Sequence, residues 1–304
     1  MELQLKAQTK WRWLLAIDLF LSGVGGGAYL TGVVADLLKW DVRIAKIGIF
    51  IGFPLVFIGT LFLMAELGSP KNFWRAFMKP GTSWIARGTI ITTFFMIINF
   101  FHIVFWIFPY AATLENAVGL RHLLGIVGVI FALGRMIYAG ILLAACRPIA
   151  FWSTGMLPLL FLVSALSTGI MSVLLISSIP GFYNQLGSLV KFDILLLALE
   201  IFVLLFYLQA THRLPESRAS AKIVLRGSVA PLFWFGVVIL GLAIPLALFL
   251  LALFTFQGTM ATIALILGTI CGMVGCLILI QVILLGGIHA PLKAGRFEYA
   301  LINV

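Results

Sequence analysis

The sequence predicts an all-α integral membrane protein of eight transmembrane helices in two four-helix bundles. Residues 1–304 form one membrane domain, with both termini on the same side. Three observations predict this. Hydrophobic residues make up 62% of the chain and charged residues only 10%, against about 25% charged in a soluble domain; mean hydropathy is +1.18. Eight apolar runs each exceed the roughly 20 residues that a bilayer crossing needs. Finally, basic residues fall mainly on alternate connectors, which is how orientation in a membrane is written into a chain.

The runs follow in order at about 13–37, 46–67, 84–108, 120–145, 152–177, 190–211, 229–254 and 261–287. The first is too long for a signal-peptide core and has no small-residue cleavage site after it, so it reads as a retained helix. It carries Asp18, with Ser22, Gly25, Gly26 and Tyr29 at helical spacing on the same face. The run Gly23 to Gly27 strips bulk from that helix, so that another helix, or a flat ligand, can approach its backbone. The second run contains Pro54 and closes on Glu66. Between Gly68 and Ser83, Phe73, Trp74, Phe77 and Met78 alternate with Lys71, Arg75 and Lys79, the pattern of a short amphipathic turn in the interface plane.

Arg87 opens the third run, in which His102 shares a face with Asn99 and Trp106. The fourth begins at Arg121 and His122 and carries Arg135 and Tyr138 three apart. The fifth contains Pro158 and follows Cys146, Arg147 and Pro148. In the sixth, Asp193, Glu200 and Tyr207 recur every seven residues as one stripe across the bilayer. The connector from His212 to Arg226 is polar and basic and reads as solvated. The seventh run contains Pro245 and the eighth Gln281.

A net charge of +10 would suggest nucleic acid in a soluble protein. Here only Lys39, Arg43, Lys46, Arg121 and Lys191 lie on outer segments once the N-terminus is placed inside. The other 15 of the 20 basic residues lie on inner ones. The rule that basic loops stay cytoplasmic therefore puts both termini in the cytoplasm. No nucleic-acid partner is expected, and the lipid bilayer itself is one.

An ionisable side chain at depth is costly in a bilayer and marks function by default. Counting along each helix places Asp18, Glu66, Arg135, Tyr138 and Gln281 in the inner half. They form either a buried ion-pair network that holds helices together or a site for a membrane-soluble ligand that exchanges protons. Glu200, near the middle of its helix, is either a proton-relay group or a neutral hydrogen-bonding one, because desolvation disfavours its charge. Cys146, Cys271 and Cys276 are dispersed and cannot build a four-thiolate iron–sulfur centre. No metal site is expected. His102 and His122, on adjacent helices, admit a haem b reading.

Several runs resemble the NrfD/polysulfide-reductase membrane-subunit family. Leu19 to Gly27 looks like its Gly-rich opening, and Glu66-Leu67-Gly68-Ser69-Pro70 followed by Phe73-Trp74-Arg75 like its acidic residue, LGRP and aromatic motif. Ser83-Trp84-Ile85-Ala86-Arg87-Gly88 resembles its entry into the third helix. Tyr138 to Leu143 followed by Leu157 to Gly169 is the most specific match, and Glu200-Ile201-Phe202 looks like its sixth-helix acid. Gln281 and His289 depart from the Arg and Gln more usual in its last helix. The resemblance implies a quinone-binding anchor, taking menaquinone or a similar quinone. Its implied partners are a ferredoxin-like iron–sulfur subunit and a molybdopterin or other catalytic subunit, and its location a prokaryotic plasma membrane.

On that reading the quinone site comprises Asp18, Ser22, Glu66, Arg135 and Tyr138. Glu66, Asp193, Glu200 and Gln281 relay protons, and Lys71, Arg75, Lys79, Arg87 and Arg147 dock the partner. The chain itself supplies no haem and no cluster. The rival readings are a proton- or ion-coupled transporter, a haem b cytochrome subunit and a passive anchor.

Overall fold

The structure is a computed structural model and describes residues 13–66, 70–107, 118–178, 183–254, 258–289, 292–294 and 297–299. Nine helices carry those residues: α1 (Trp13–Leu37), α2 (Val42–Glu66), α3 (Trp84–Ile107), α4 (Val118–Ala144), α5 (Met156–Ser177), α6 (Tyr183–Ala210), α7 (Pro215–Arg226), α8 (Leu232–Phe254) and α9 (Gly258–Leu285). Seven of the helices, all but α6 and α7, are long and apolar enough by length and composition to cross a membrane. The sixth apolar run, expected as a crossing, falls on the 28-residue α6, which carries Lys191, Asp193 and Glu200.

Helices α1 to α4 close into one ring: α1 lies against α2 and α4, α2 against α3, and α3 against α4. A second ring joins α5 to α6, α6 to α8, α8 to α9 and α9 back to α5. The rings meet where α1 and α4 pack on α5 and α1 on α9. Glycines of α1 act as packing positions at this seam and against α2. A Cβ on Gly27 would stand 2.1 Å from the Ala165 carbonyl oxygen of α5, and one on Gly32 would stand 2.7 Å from the Ala45 carbonyl of α2. Small residues let helix backbones come this close, so Gly27 and Gly32 serve helix packing.

Local chemistry set several boundaries that hydropathy alone missed. Helix α2 starts at Val42, four residues before the apolar run, because the Asp41 carboxylate accepts the Arg43 N–H at 2.9 Å. Helix α5 starts late, at Met156. Phe151 and Trp152 are buried before it, and Trp152 Nε1 donates to the Ile283 carbonyl at 2.7 Å.

The segment after α6, expected to be a solvated connector, is instead the helix α7. Pro215 occupies its first turn, and Ser217, Ser220, Ala221 and Val224 are buried beneath it. Spacing of three and four among small residues gives this short polar helix a packing face that its composition conceals.

The first half of α8, Leu232–Ala243, is a π-helix, and its last N–H, that of Ile244, donates to Ile239 five residues back. The wider turn relieves the clash that the Pro245 ring would make with the carbonyl four residues before it. A 3₁₀-helix, Pro70–Phe77, occupies the connector expected as an amphipathic turn, with Trp74 and Phe77 exposed. Past α9, Leu292–Ala294 and Phe297–Tyr299 pair as a short antiparallel hairpin that the hydropathy pattern did not announce.

Candidate functional site

The first bundle encloses an ion pair between α1 and α4. Arg135 Nη2 donates to both oxygens of Asp18, at 3.1 Å each, and to Ser22 Oγ at 2.7 Å. Ser22 Oγ in turn donates to Asp18 at 3.1 Å. Asp18 is 1% and Arg135 2% exposed. Asp18 and Ser22 meet because they are one turn apart on α1, and α4 crosses α1 closely beside Gly26, which abuts Met136. A charge this deep requires a partner with good geometry, and here one nitrogen of Arg135 supplies every bond. Its Nε and Nη1 are buried and make no hydrogen bond.

The Tyr138 ring lies under the guanidinium, 5.5 Å from ring centroid to Cζ. It packs on α3 where Gly88 leaves room: a Cβ there would stand 1.9 Å from Tyr138 Cζ. Glu66 ends α2 at the same end of the bundle and is partly exposed. It lies two turns beyond Gly59, the α2 residue set against Asp18, or about 10 Å along the axis. The structure therefore brings Asp18, Ser22, Arg135 and Tyr138 together and puts Glu66 at the rim. Gln281 is buried in α9, its Oε1 makes no hydrogen bond, and it joins neither this group nor the next.

The second bundle holds the stripe of α6. Ser164 donates to Glu200, and Ser167 donates to Asp193 at 2.7 Å. Tyr207 donates to the Phe151 carbonyl at 2.9 Å. All three stripe residues are buried, and Asp193 Oδ2 makes no hydrogen bond. Sequence reasoning missed the two serines as members of the site. The signal was present: Ser164 and Ser167 share a face of α5, and α6 runs back beside it with acids two turns apart.

Two small cavities flank this pairing. One, with about 20 Å³ open to water, lies at the seam and is lined by Leu19, Gly23, Met136 and Ser164. The other, about 10 Å³, lies beside Glu200 and is walled by Gly241 of the π-helical segment and by Gly275. The first has room for a water, and the second is at the limit for one.

The expected docking residues lie at the Asp18 end. Arg75 is exposed with its guanidinium 5.6 Å from the Trp74 ring, and Lys79 and Arg147 are exposed. Arg87 is engaged locally: it donates to the Pro80 and Gly81 carbonyls at 2.7 Å each and covers Trp84. The side chain of Lys71 lies outside the described residues, as do Lys6, Lys10 and Arg12.

At the opposite end the two histidines of the haem reading engage separate partners. Tyr29 Oη and His102 Nδ1 are 2.9 Å apart, and His122 Nε2 lies 3.7 Å from Asp36. Among the described residues, no group of three or more His, Cys, Asp or Glu side chains gathers where a metal ion could be held.

The model of the family described as polysulphide reductase, NrfD matches residues 2–291. The sequence is similar to a component of the polysulfide reductase of Wolinella succinogenes, at 31% identity over 78% of this protein and 82% of that one. It is also similar to the NrfD homolog of Haemophilus influenzae, at 24% identity over 78% and 82% of the two proteins. A component of the selenate reductase of Mesobacillus selenatarsenatis matches at 23% identity, over 80% of this protein and 67% of that one.

Proposed function

The chain belongs to the polysulphide reductase NrfD family, and from that premise we propose that it is the quinone-reactive subunit of a respiratory oxidoreductase. As a member it is a multi-pass membrane subunit of an oxidoreductase complex. The finer reading rests on one observation above all: Arg135, buried beside Tyr138, has two donor nitrogens that make no hydrogen bond. Such donors fit an acceptor-rich head group of the quinone kind, since a buried unsatisfied donor is costly until a ligand accepts from it.

A menaquinone-type ring bound here supplies two-electron, two-proton chemistry. Tyr138 and the free nitrogens of Arg135 hold its carbonyl oxygens. Asp18 and Ser22, occupied with Arg135, fix that guanidinium and balance its charge. Glu66, partly exposed at the rim, is best placed to exchange the accompanying proton with water, as a positioned carboxyl does in general acid–base work. Electrons pass between the quinone and a ferredoxin-like iron–sulfur subunit, itself joined to a molybdopterin or other catalytic subunit. That partner docks on the basic and aromatic face of Lys71, Arg75, Lys79, Arg87 and Arg147. Names of relatives support this, since one is part of a polysulfide reductase and another part of a selenate reductase.

Helix α6 is the eighth crossing on this reading. Its Leu195, Leu199, Phe202 and Phe206 are exposed opposite buried Asp193 and Glu200, as lipid on one side and a bundle on the other require. Both termini then lie on the cytoplasmic side of a prokaryotic plasma membrane. Asp193 and Glu200, with Ser164 and Ser167, relay protons through the second bundle.

The test has two parts. Mass spectrometry of what co-purifies in mild detergent should find a ferredoxin-like subunit, and a protein that comes out alone would end the reading. In the assembled complex, Glu66→Gln should leave assembly intact and slow quinol turnover; unchanged turnover would remove Glu66 from the mechanism.

A further inference from the structure

The end of the first bundle remote from Asp18 holds polar groups for which quinone chemistry has no use. Trp106, in the last turn of α3, stands between two cations: Arg121 Cζ is 4.4 Å and Lys46 Nζ 5.7 Å from its ring centroid. Arg121 donates through Nη2 to Asp36 at 2.8 Å. Its Nε makes no hydrogen bond, nor does Trp106 Nε1, nor His102 Nε2 one turn deeper, although all three atoms are buried. His102 is 0% exposed.

Two unsatisfied N–H donors, Trp106 Nε1 and Arg121 Nε, lie in one cluster and call for an acceptor with several lone pairs. Charge narrows the choice. Lys39, Arg43, Lys46 and Arg121 outnumber Asp36 and Asp41 among the described residues of this end, so the acceptor that fits is an anion. Depth narrows it again. The last turns of α1 and α3 and the first turns of α2 and α4 meet here, at the level where Trp, Lys and Arg sit among lipid head groups.

We propose that Lys46, Trp106 and Arg121 form a phospholipid site that holds the phosphodiester of an anionic head group. The two non-bridging oxygens accept from Trp106 Nε1 and Arg121 Nε, and Lys46 completes the charge balance. His102 is a supporting group beneath it, tied to Tyr29. The partner-docking face lies at the other end of the bundle, so a lipid of the facing leaflet, and no protein subunit, covers this one. The choice of a lipid over a protein subunit rests on the docking face proposed above; the polar cluster itself does not.

The test is native mass spectrometry of the complex purified from native membranes in mild detergent. The wild-type protein should retain a phospholipid. Trp106→Phe keeps the ring between its cations and removes only the N–H. It should weaken retention about tenfold, the factor that follows from the loss of one charge-assisted hydrogen bond. Lys46→Gln should do the same, and Lys222→Gln, at the other end of the molecule, should retain the lipid fully. Delipidated wild type should gain thermal stability from phosphatidylglycerol in detergent and none from inorganic phosphate. A wild-type protein without lipid, equal retention in Trp106→Phe, or stabilisation by inorganic phosphate alone would each overturn the proposal.

Discussion

Replacing Asp18 with Ala exposes what the buried ion pair contributes. Arg135 is 2% exposed and gives two of its three hydrogen bonds to the Asp18 carboxylate. In the variant only the 2.7 Å bond to Ser22 remains, and Nε and Nη1 already make none. The guanidinium becomes an uncompensated cation in the bundle interior, and removing one member of a buried pair costs about 3–5 kcal/mol. Asp18→Asn keeps the shape and one acceptor oxygen while removing the charge, so its cost should be smaller than that of Ala. Arg135→Gln should be destabilising for the mirror-image reason. The double variant Asp18→Asn/Arg135→Gln sets two neutral amides against each other and should be more stable than the sum of the two single changes predicts. A coupling of about 2 kcal/mol is expected for groups in direct contact. Reversible unfolding in mixed micelles, followed by tryptophan fluorescence, measures the wild type and all four variants. Additive costs, or a cost below about 1 kcal/mol for Asp18→Ala, the level of an exposed pair, would refute the reasoning.

Three further outcomes are expected. Tyr138→Phe removes a hydroxyl from the guanidinium's side without disturbing the ring that fills the gap at Gly88; stability should hold while the KM for quinol rises about tenfold, as measured by steady-state oxidation in the intact complex. Gly27→Ala places a methyl 2.1 Å from the Ala165 carbonyl, so the seam between bundles must open, and a loss of about 1–3 kcal/mol should appear in the same unfolding assay. Glu200→Gln retains the hydrogen bond from Ser164 but cannot carry a proton; complexes reconstituted in vesicles should turn over quinol with altered proton uptake or release, read with a pH-sensitive dye, and identical traces would remove Glu200 from the relay.

The bundle was legible because the bilayer imposes one loud rule, continuous apolar length, and the chain obeys it. The first run, 13–37, coincides with α1, and 84–108 with α3 to within a residue. Elements governed by finer chemistry were quieter. The helix α7 lacks hydrophobic length, and its packing face is built of Ser217, Ser220 and Ala221, which read as polar linker. The π-helical stretch of α8 depends on Pro245 acting on residues before it, and period-based reading assumes an α register throughout. Within the site, Asp18, Arg135 and Tyr138 stood out because charge and hydroxyl are rare at depth. Their convergence was visible in the counting of turns. Glu66 was placed with them because half a membrane spans several turns, and it lies two turns beyond the level of Asp18. Ser164 and Ser167 went unnoticed because a small hydroxyl in an apolar helix can satisfy itself on its own backbone, as Thr168 does on Ser164.

The most direct measurement is photo-crosslinking of the purified complex with a photoreactive quinone analogue, followed by peptide mapping. The account predicts label on the first half of α1 around Asp18, on the end of α2 and on α4 near Tyr138, suppressed by excess menaquinone and lost in Arg135→Gln. Label confined to the second bundle, or label that unlabelled quinone does not displace, would contradict it.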